Sequence, residues 1–283
     1  MTLAGVTTRV GSLPDISEWL SRLPEGGSDL AVTPGAEPFV LAAALQQGTT
    51  GSLIAITATG RQAEELSNAI ADLGFGTAVF PSWETLPHER LSPTADTVGR
   101  RMAVISDVAA GTLPQVLVMP VRALMQPFAA ELADERPIVV AAGDDPGFDD
   151  LVAALARAGY ERVTMVERRG QFAVRGGIID VFAPTQEHPT RIEFFGDEVE
   201  ELRAFAVSDQ RTLEVRKEPL RIPICRELML TDEVRVRAKS LVDRYPHIAD
   251  VLGDIASGTP VEGMESLAPV LADRMITLLD LLP

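Results

Sequence analysis

The sequence is poor in cysteine and in lysine. Cys225 is the single cysteine of the 283 residues, which excludes an intrachain disulfide and a metal site built from several cysteines. Lys217 and Lys239 are the two lysines, and neither follows a glycine. No stretch approaches the roughly 20 apolar residues of a membrane span, and the N-terminus has no basic segment followed by an apolar run. These absences predict a soluble cytoplasmic protein without a signal peptide or membrane contact.

The chain is also short of positive charge. It has 25 lysine and arginine residues against 41 aspartate and glutamate residues, which gives a formal net charge of −16. Because autonomous DNA binding depends on a basic stripe that contacts phosphates, this balance argues against it. The acidity is uneven: residues 161–222 carry 10 basic and 12 acidic groups, so this part is nearly neutral and rich in arginine.

The first half of the chain alternates predicted strands and helices, and 46% hydrophobic residues supply a large core. Strands are predicted at residues 30–33, 52–57, 77–80 and 115–119, and helices at 15–23, 37–46, 61–73 and 96–110. Thr59 is expected to cap the third helix, which ends at Gly74, and the strand at 52–57 is expected to be buried. Such alternation predicts an α/β fold with a mostly parallel sheet covered on both faces.

The loop after the first predicted strand lacks the residues that hold nucleotide phosphates. A phosphate loop needs closely spaced glycines, a lysine for the β and γ phosphates and a serine or threonine for magnesium. Residues 33–39 are Thr-Pro-Gly-Ala-Glu-Pro-Phe, so the lysine is absent, Glu37 would repel phosphate and Pro38 has no N–H. We therefore predict that this chain binds neither ATP nor magnesium and carries no cofactor.

Residues 81–93 contain three prolines, which predicts a long extended loop. His88 has no spaced carboxylate or serine partner, so a structural role is favoured over acid–base catalysis. Trp83 is expected to anchor the loop to the sheet rather than to stack on a nucleobase. Arg100 and Arg101 on the next helix leave weak DNA contacts open, although a solvated or ion-paired face is favoured.

A small antiparallel meander is predicted in the arginine-rich part of the chain. Its strands are predicted at residues 171–175, 178–182, 190–195 and 198–206, after a strand at 138–141 and a helix at 148–158. Gly196-Asp197 is the two-residue turn of a hairpin. A plain hairpin would pair Phe194 with Val199 but also Ile192 with Glu201, so we expect a bulge or a register shift.

Three side chains of the meander have the composition of a protein–protein hot spot. Alternation places Arg191 and Phe195 on one face of their strand, opposite Ile192 and Phe194. Arg175 lies on the more polar side of its own strand. Two arginines and an aromatic on exposed strand faces are typical of a partner-binding surface.

A structural interpretation of the same residues stays open at this point. Phe195 would then cover the edge of the sheet, and both arginines would pair with Glu193 or Glu198.

After residues 220–224 the pattern becomes helical, with helices predicted at 232–241, 248–255 and 264–271. Residues 275–283 form an apolar run with no polar ending, and we expect the chain to be a piece of a larger protein.

Two motifs carry a resemblance to a known family. PSWETLPHERLSPTADTVGRRM at residues 81–102 and GQFAVRGGIIDVFAPTQEHPTRIEFFGDEVEELRAFAVSDQRTLE at 170–214 resemble the N-terminal part of the bacterial transcription-repair coupling factors, the Mfd family. The second motif is also similar to the excision-repair protein UvrB in its VRG, IDVF and RIEFF patterns. The resemblance covers about residues 30–283. No long aromatic insertion interrupts residues 81–96, so the DNA-clamping hairpin of UvrB is missing.

The resemblance implies a degenerate helicase-like (RecA-like) domain at 1–136, a UvrA-binding α+β domain at 137–222 and a return segment of the first domain at 223–283. In this family the first domain has lost ATP binding, which agrees with the loop at 33–39. The motor with its ATP and magnesium, and the contacts to RNA polymerase and DNA, are expected beyond Pro283.

The resemblance also implies the partner and its contacts. The small domain of the family docks onto UvrA, and the matching motif positions are Arg175, Arg191 and Phe195. Gly196 replaces a polar residue that UvrB-like sequences tend to have, so a minor contact is in doubt. In the intact protein a C-terminal domain of the same chain is expected to mask this surface.

The function expected for this chain is therefore non-catalytic recruitment of UvrA, which links stalled RNA polymerase to nucleotide excision repair. The alternative is a UvrB-like, ATP-dependent DNA-binding protein of excision repair, against which the missing lysine and the net charge of −16 speak. A third hypothesis is a purely structural lid for the motor, in which changes at Arg191 and Phe195 leave UvrA binding unchanged.

Overall fold

The computed structural model describes residues 3–23, 26, 29–48, 51–86 and 89–282. His88 lies outside the described residues. The chain divides into two compact units, of which the first comprises Met1–Ser82 and Gly111–Gln126 and the second comprises Trp83–Ala110 and Pro127–Leu282. The division into 1–136, 137–222 and 223–283 stays a prediction.

The secondary structure is mixed α/β. Helices α1 to α10 span, in chain order, Leu3–Gly11, Pro14–Arg22, Glu37–Gln46, Gly60–Asp72, Ala95–Ala109, Val121–Leu124, Phe148–Arg157, Asp232–Leu241, Ala249–Ser257 and Ala268–Leu271. Strands β1 to β13 span Leu53–Thr57, Thr77–Val79, Val116–Pro120, Phe128–Ala129, Ile138–Val140, Glu161–Val163, Gln171–Arg175, Ile178–Val181, Thr190–Phe195, Glu198–Phe205, Thr212–Val215, Leu220–Ile222 and Met275–Ile276. No helix in these described ranges is long and apolar enough to cross a membrane.

The first unit contains a parallel sheet with the strand order β1-β3-β2, so the predicted parallel sheet is confirmed. The central strand β3 is buried along its whole length. Helices α3 and α4 pack on the sheet, where Ala63, Ile70, Val116 and Val118 form the buried cluster. The prediction that β1 is buried is wrong, because β1 is an edge strand and its Ile54 and Ile56 are exposed.

Helix α4 begins and ends where the sequence predicts. The Thr59 hydroxyl accepts the Gln62 backbone N–H at 3.2 Å, and the Gln62 side-chain oxygen accepts the Thr59 N–H at 3.2 Å. This reciprocal capping satisfies two of the N–H groups that the first turn leaves without partners. Gly74, at φ +92°, follows the helix in the left-handed conformation that glycine adopts without strain.

The strand predicted at residues 30–33 is absent from the structure. These residues are extended but join no sheet. Leu30 and Val32 instead pack against the cluster that contains Ile16 and Leu20 of α2. The apolar residues are therefore covered by helices, and a short apolar run of this kind does not distinguish a strand from an extended segment that packs on helices.

The second unit contains a six-stranded sheet with the order β11-β10-β9-β8-β7-β6. Neighbouring strands from β7 to β10 are antiparallel, which confirms the predicted meander. Two further strands were not predicted: β11, antiparallel to β10, and β6, parallel to β7. One face of the sheet is core, and its fully buried apolar side chains include Phe172, Ile179, Val181, Ile192, Val199 and Leu202.

The hairpin of β9 and β10 contains the expected register shift. Phe194 pairs with Val199, and two residues further along Ile192 pairs with Leu202 rather than with Glu201. The irregularity lies between Val199 and Glu201 on β10. One extra residue on β10 therefore brings Leu202 to the core face and leaves the glutamates on the other side.

The second unit also contains α5, the strands β5 and β12, and the helices α8 to α10. Strands β5 and β12 pair with each other, so residues 138–140 and 220–222 lie side by side. Arg101 on α5 is fully buried, and its guanidinium donates to both carboxylate oxygens of Glu227 at 2.5 and 3.3 Å. Arg101 therefore does not lie on a solvated face and is not available to DNA, although it is ion-paired as the favoured interpretation expects.

Candidate protein-binding site

Arg175, Arg191 and Phe195 lie on one face of the antiparallel sheet, which we call the binding face. Arg175 of β7 pairs with Ile178 of β8, and Ile178 pairs with Glu193 of β9, so these three side chains share one row. Arg191 and Phe195 lie two residues to either side of Glu193, on the same face. Strand geometry places Arg191 and Phe195 about 14 Å apart, and β7 about 10 Å from β9. The three side chains fit within one small patch.

Phe195 is the most exposed large apolar side chain of the described residues, at 81%. It is the last residue of β9 and lies opposite Glu198 across the turn. Gly196 adopts φ +67°, the left-handed conformation that a two-residue hairpin turn requires. The ring therefore projects from the tip of a tight hairpin. The structural interpretation required it to cover the edge of the sheet, and it does not.

The hairpin tip is fixed from its other face. The ring of Phe194 packs edge to face on Phe148 of α7, with centroids 5.1 Å apart. The Phe148 backbone N–H donates to Asp197 Oδ1 at 3.3 Å. Val199 exchanges two backbone hydrogen bonds of 2.8 Å with Gly143 and Asp144 in the loop before α7. These contacts fix the backbone of the hairpin tip that carries Phe195.

Arg191 is held by a buried carboxylate. Its Nε and Nη2 donate to the two oxygens of Asp180 at 2.7 and 2.9 Å, and the ring of Phe205 lies 4.8 Å from the guanidinium carbon. The Arg191 side chain is 19% exposed and that of Asp180 only 2%. The hydrogen bonds to Asp180 raise the pKa of Arg191, so the guanidinium is charged at neutral pH. Its partner is thus Asp180 and neither Glu193 nor Glu198.

Arg175 is exposed and is positioned by an uncharged group. Its Nε and Nη2 donate to the backbone carbonyl of Thr164 at 3.3 and 2.8 Å. No carboxylate among the described residues forms an ion pair with it. The guanidinium is therefore ordered and still carries an uncompensated charge.

A third arginine of the binding face escaped the sequence analysis. Arg203 pairs with Arg191 across β9 and β10, and its guanidinium contacts Glu193 at 3.3 Å and also Glu201. The register shift in β10 creates this arrangement by placing Glu201 opposite Glu193. Charge pattern alone does not reveal these partners, because strict alternation from the turn puts Arg203 on the core face.

The other residues that the sequence singled out are not on the strands of the binding face. Glu37 and Pro38 occupy the first turn of α3, and no side chain caps that helix. Trp83 is buried, so its ring is not an exposed stacking surface. Arg100 is half-buried on α5.

Comparisons with known proteins place this sheet in a family. The sequence model of the UvrB interaction domain matches residues 138–223, which include all six strands of the sheet. A transcription-repair-coupling factor of Mycobacterium tuberculosis is 42% identical over 99% of this chain and 24% of its own length. Those of Myxococcus xanthus and Bacillus subtilis are 38% and 30% identical, over 72% and 84% of this chain and 18% and 20% of their own lengths.

The chain thus contains a UvrB interaction domain. It belongs to the transcription-repair coupling factor family. The chain spans about a quarter or less of the length of these relatives. For this chain, the activity and partners of a whole family member are therefore proposals.

Proposed function

We propose that this chain is the UvrA-recruiting module of a transcription-repair coupling factor, and that the binding face is its docking site. One observation carries the proposal: Phe195, 81% exposed, projects from a braced hairpin beside Arg175 and Arg191 inside the UvrB interaction domain. Aromatic and arginine side chains dominate the energetics of protein interfaces. The contact would link a stalled RNA polymerase to nucleotide excision repair.

The rigidity of the site supports this role. Association costs free energy for every side chain that must be ordered, roughly 0.5–1.5 kcal/mol each. Thr164 orders Arg175, and Asp180 orders Arg191, before any partner arrives. Binding therefore proceeds with little further loss of side-chain freedom.

The remaining parts of the chain fit a non-catalytic role. We assign residues 1–136 and 223–283 to a degenerate helicase-like (RecA-like) domain and 137–222 to the UvrA-binding domain. Pairing of β5 with β12 supports the boundaries, because it brings the two ends of the inserted segment together. The absence of a phosphate-loop lysine and the presence of Glu37 and Pro38 speak against ATP binding here. In the cytoplasm, the ATP- and magnesium-dependent motor and the contacts to RNA polymerase and DNA would belong to the remainder of the protein.

The direct test is a titration of this chain with UvrA, comparing the natural sequence with Phe195→Ala. Truncation of a hot-spot residue is expected to cost about 2 kcal/mol or more, roughly thirtyfold in Kd. Thermal stability should not change, because the ring is exposed. Val236→Ala is the matched control, since Val236 is an exposed apolar residue on α8 and not on the sheet.

Two outcomes would contradict the proposal in different ways. Equal binding by the natural chain and Phe195→Ala would show that the docking site lies elsewhere. Absence of binding by the natural chain would reject UvrA recruitment itself. Masking by a C-terminal domain predicts in addition that the full-length protein binds UvrA more weakly than its C-terminal truncation, and equal affinities would exclude it.

A further inference from the structure

The two arginines of the binding face differ in net charge once their fixed partners are included. The Arg191 guanidinium forms a salt bridge with the carboxylate of Asp180, so the pair is neutral as a unit. The Arg175 guanidinium lies against the carbonyl of Thr164, so its full positive charge remains. One exposed cation and one neutralised cation therefore face the same partner.

We infer that Arg175 binds an ionised carboxylate of UvrA, whereas Arg191 binds an uncharged carbonyl oxygen. The inference rests on the proposed function and specifies the chemistry of the partner surface. A carboxylate that met Arg191 would also meet the charge of Asp180, and like charges at close range repel in a partly desolvated site. A carbonyl oxygen accepts from the remaining N–H groups of Arg191 without that repulsion.

The neighbouring side chains increase the difference in local charge between Arg175 and Arg191. Glu193 lies next to Arg191 along β9, and its charge contributes to the raised pKa of Arg191. Arg203 and Glu201 lie beside this pair, so an incoming carboxylate would meet three carboxylates and two guanidinium groups, a net charge of −1. Arg175 shares its face of β7 with Ala173, and its partner across the ladder, Ile178, separates it from Glu193.

The access to each guanidinium agrees with these assignments. Phe205 covers one face of the Arg191 guanidinium, and Asp180 occupies the edge formed by Nε and Nη2. The two Nη1 hydrogens and the second Nη2 hydrogen remain for a partner, so the charge of Asp180 decides which acceptor this edge of the guanidinium takes. Arg175 is exposed, so a carboxylate can reach it from several directions.

The experiment measures the Kd for UvrA between about 50 mM and 500 mM salt, where screening of exposed charges increases strongly. For Arg175→Gln we expect at least about tenfold weaker binding at low salt and a flatter salt dependence. Arg175→Lys keeps the charge and should keep the steep dependence. Arg211→Gln, which removes an exposed arginine outside the binding face, is the control for charge alone.

Arg191 requires a paired change, because its removal alone leaves Asp180 buried without a partner. The double variant Asp180→Asn/Arg191→Gln removes both charges and keeps two groups that can hydrogen-bond. It should weaken binding at every salt concentration while the slope of log Kd against log salt stays that of the natural chain. Circular dichroism and thermal unfolding establish that each variant is folded.

The inference is overturned if the double variant flattens the salt dependence as much as Arg175→Gln does, or if Arg175→Gln keeps the steep slope. It is also overturned if both variants bind like the natural chain, since neither arginine would then contact UvrA. Failure of the natural chain to bind UvrA is a separate result, which rejects the proposed function and this inference with it.

Discussion

The ring of Phe148 meets the ring of Phe194 edge to face, with their centroids 5.1 Å apart and their planes at 84°. Phe194 precedes the exposed Phe195, and successive strand residues point to opposite faces. A contact that fixes Phe194 therefore also fixes the backbone from which Phe195 projects. Helix α7, which begins at Phe148, braces the binding hairpin from the face that the partner does not touch.

Shortening Phe148 should weaken UvrA binding although this side chain lies behind the binding face. Phe148→Leu loses the edge-to-face geometry and should cost about 1 kcal/mol of unfolding free energy. Phe148→Ala also leaves a cavity and should cost about 2 kcal/mol or more. Urea unfolding measures both costs, and titration with UvrA measures the loss of affinity that follows when the hairpin is less ordered.

Amide hydrogen exchange separates a local effect from a global one. In Phe148→Leu, the hairpin amides around Phe195 and Val199 should exchange faster, while those of the parallel sheet in the first unit should not change. If the hairpin amides of Phe148→Leu exchange as slowly as those of the natural chain, and the variant binds UvrA equally well, Phe148 does not brace the hairpin.

The hairpin shows how far the sequence predicts this site. Alternation and the Gly196-Asp197 turn are local features, so the strand bounds, the exposure of Phe195 and the bulge could all be predicted. The partner of Arg191 could not, because Asp180 lies on a strand separated from β9 by residues 182–189, and no local pattern fixes the register across such a connection. The predicted partners were near in sequence, whereas the observed one is near in space.

The same limit explains Arg101. Its partner Glu227 is 126 residues away in the sequence, and the helix pattern around Arg101 does not distinguish an ion pair at the surface from one in the core. Burial of a charged pair depends on how α5 packs against the segment that follows β12. Sequence periodicity contains no information about that packing.

The buried pair makes a strong prediction for stability. Glu227→Gln removes the carboxylate that faces the buried Arg101 guanidinium, which should cost about 3–5 kcal/mol of unfolding free energy. Replacing both residues, as in Arg101→Met/Glu227→Leu, removes the desolvation penalty along with the attraction and should restore most of this loss. Chemical denaturation of the single and double variants gives the comparison.

An exposed ion pair provides the matched control for Glu227→Gln. Arg61 and Glu65 form an exposed ion pair one turn apart on α4, and such pairs contribute little. Glu65→Gln should therefore leave the midpoint of unfolding almost unchanged. A similar loss for Glu65→Gln and Glu227→Gln would mean that burial does not determine the cost.

Cys225 is a buried probe of the second unit. Burial raises the pKa of its thiol from 9.0 to about 12, so almost no thiolate is present near neutral pH. Because the thiolate is the reactive form, Cys225 should react with a thiol reagent at pH 8 only as fast as the unit opens. In denaturant the reaction should become rapid, and rapid reaction in the native chain would contradict the burial.

Glu265 should make the second unit less stable as the pH rises from acidic values. Burial is the largest cause that raises the pKa of Glu265 above 4.5, and the nearby charge of Glu227 acts in the same direction. The hydrogen bond from the Ser92 hydroxyl, at 2.6 Å, and the charge of Arg226 oppose the shift without cancelling it. Between pH 4.5 and the folded pKa the native chain holds more protons than the unfolded chain. The contribution of Glu265 to the unfolding free energy is therefore fully present below pH 4.5 and is lost as the pH rises through the folded pKa.

Glu265→Gln should remove this loss, because an amide oxygen can still accept from Ser92 and never ionises. The unfolding free energy of the variant, relative to the natural chain, should increase as the pH rises above about 4.5 and become constant above the folded pKa. Glu262→Gln is the control, since Glu262 accepts the Ser92 backbone N–H at 3.0 Å but is exposed. Parallel pH profiles for Glu265→Gln and the natural chain, measured by urea unfolding from pH 4 to 8, would show that Glu265 ionises as freely in the folded chain as in the unfolded one.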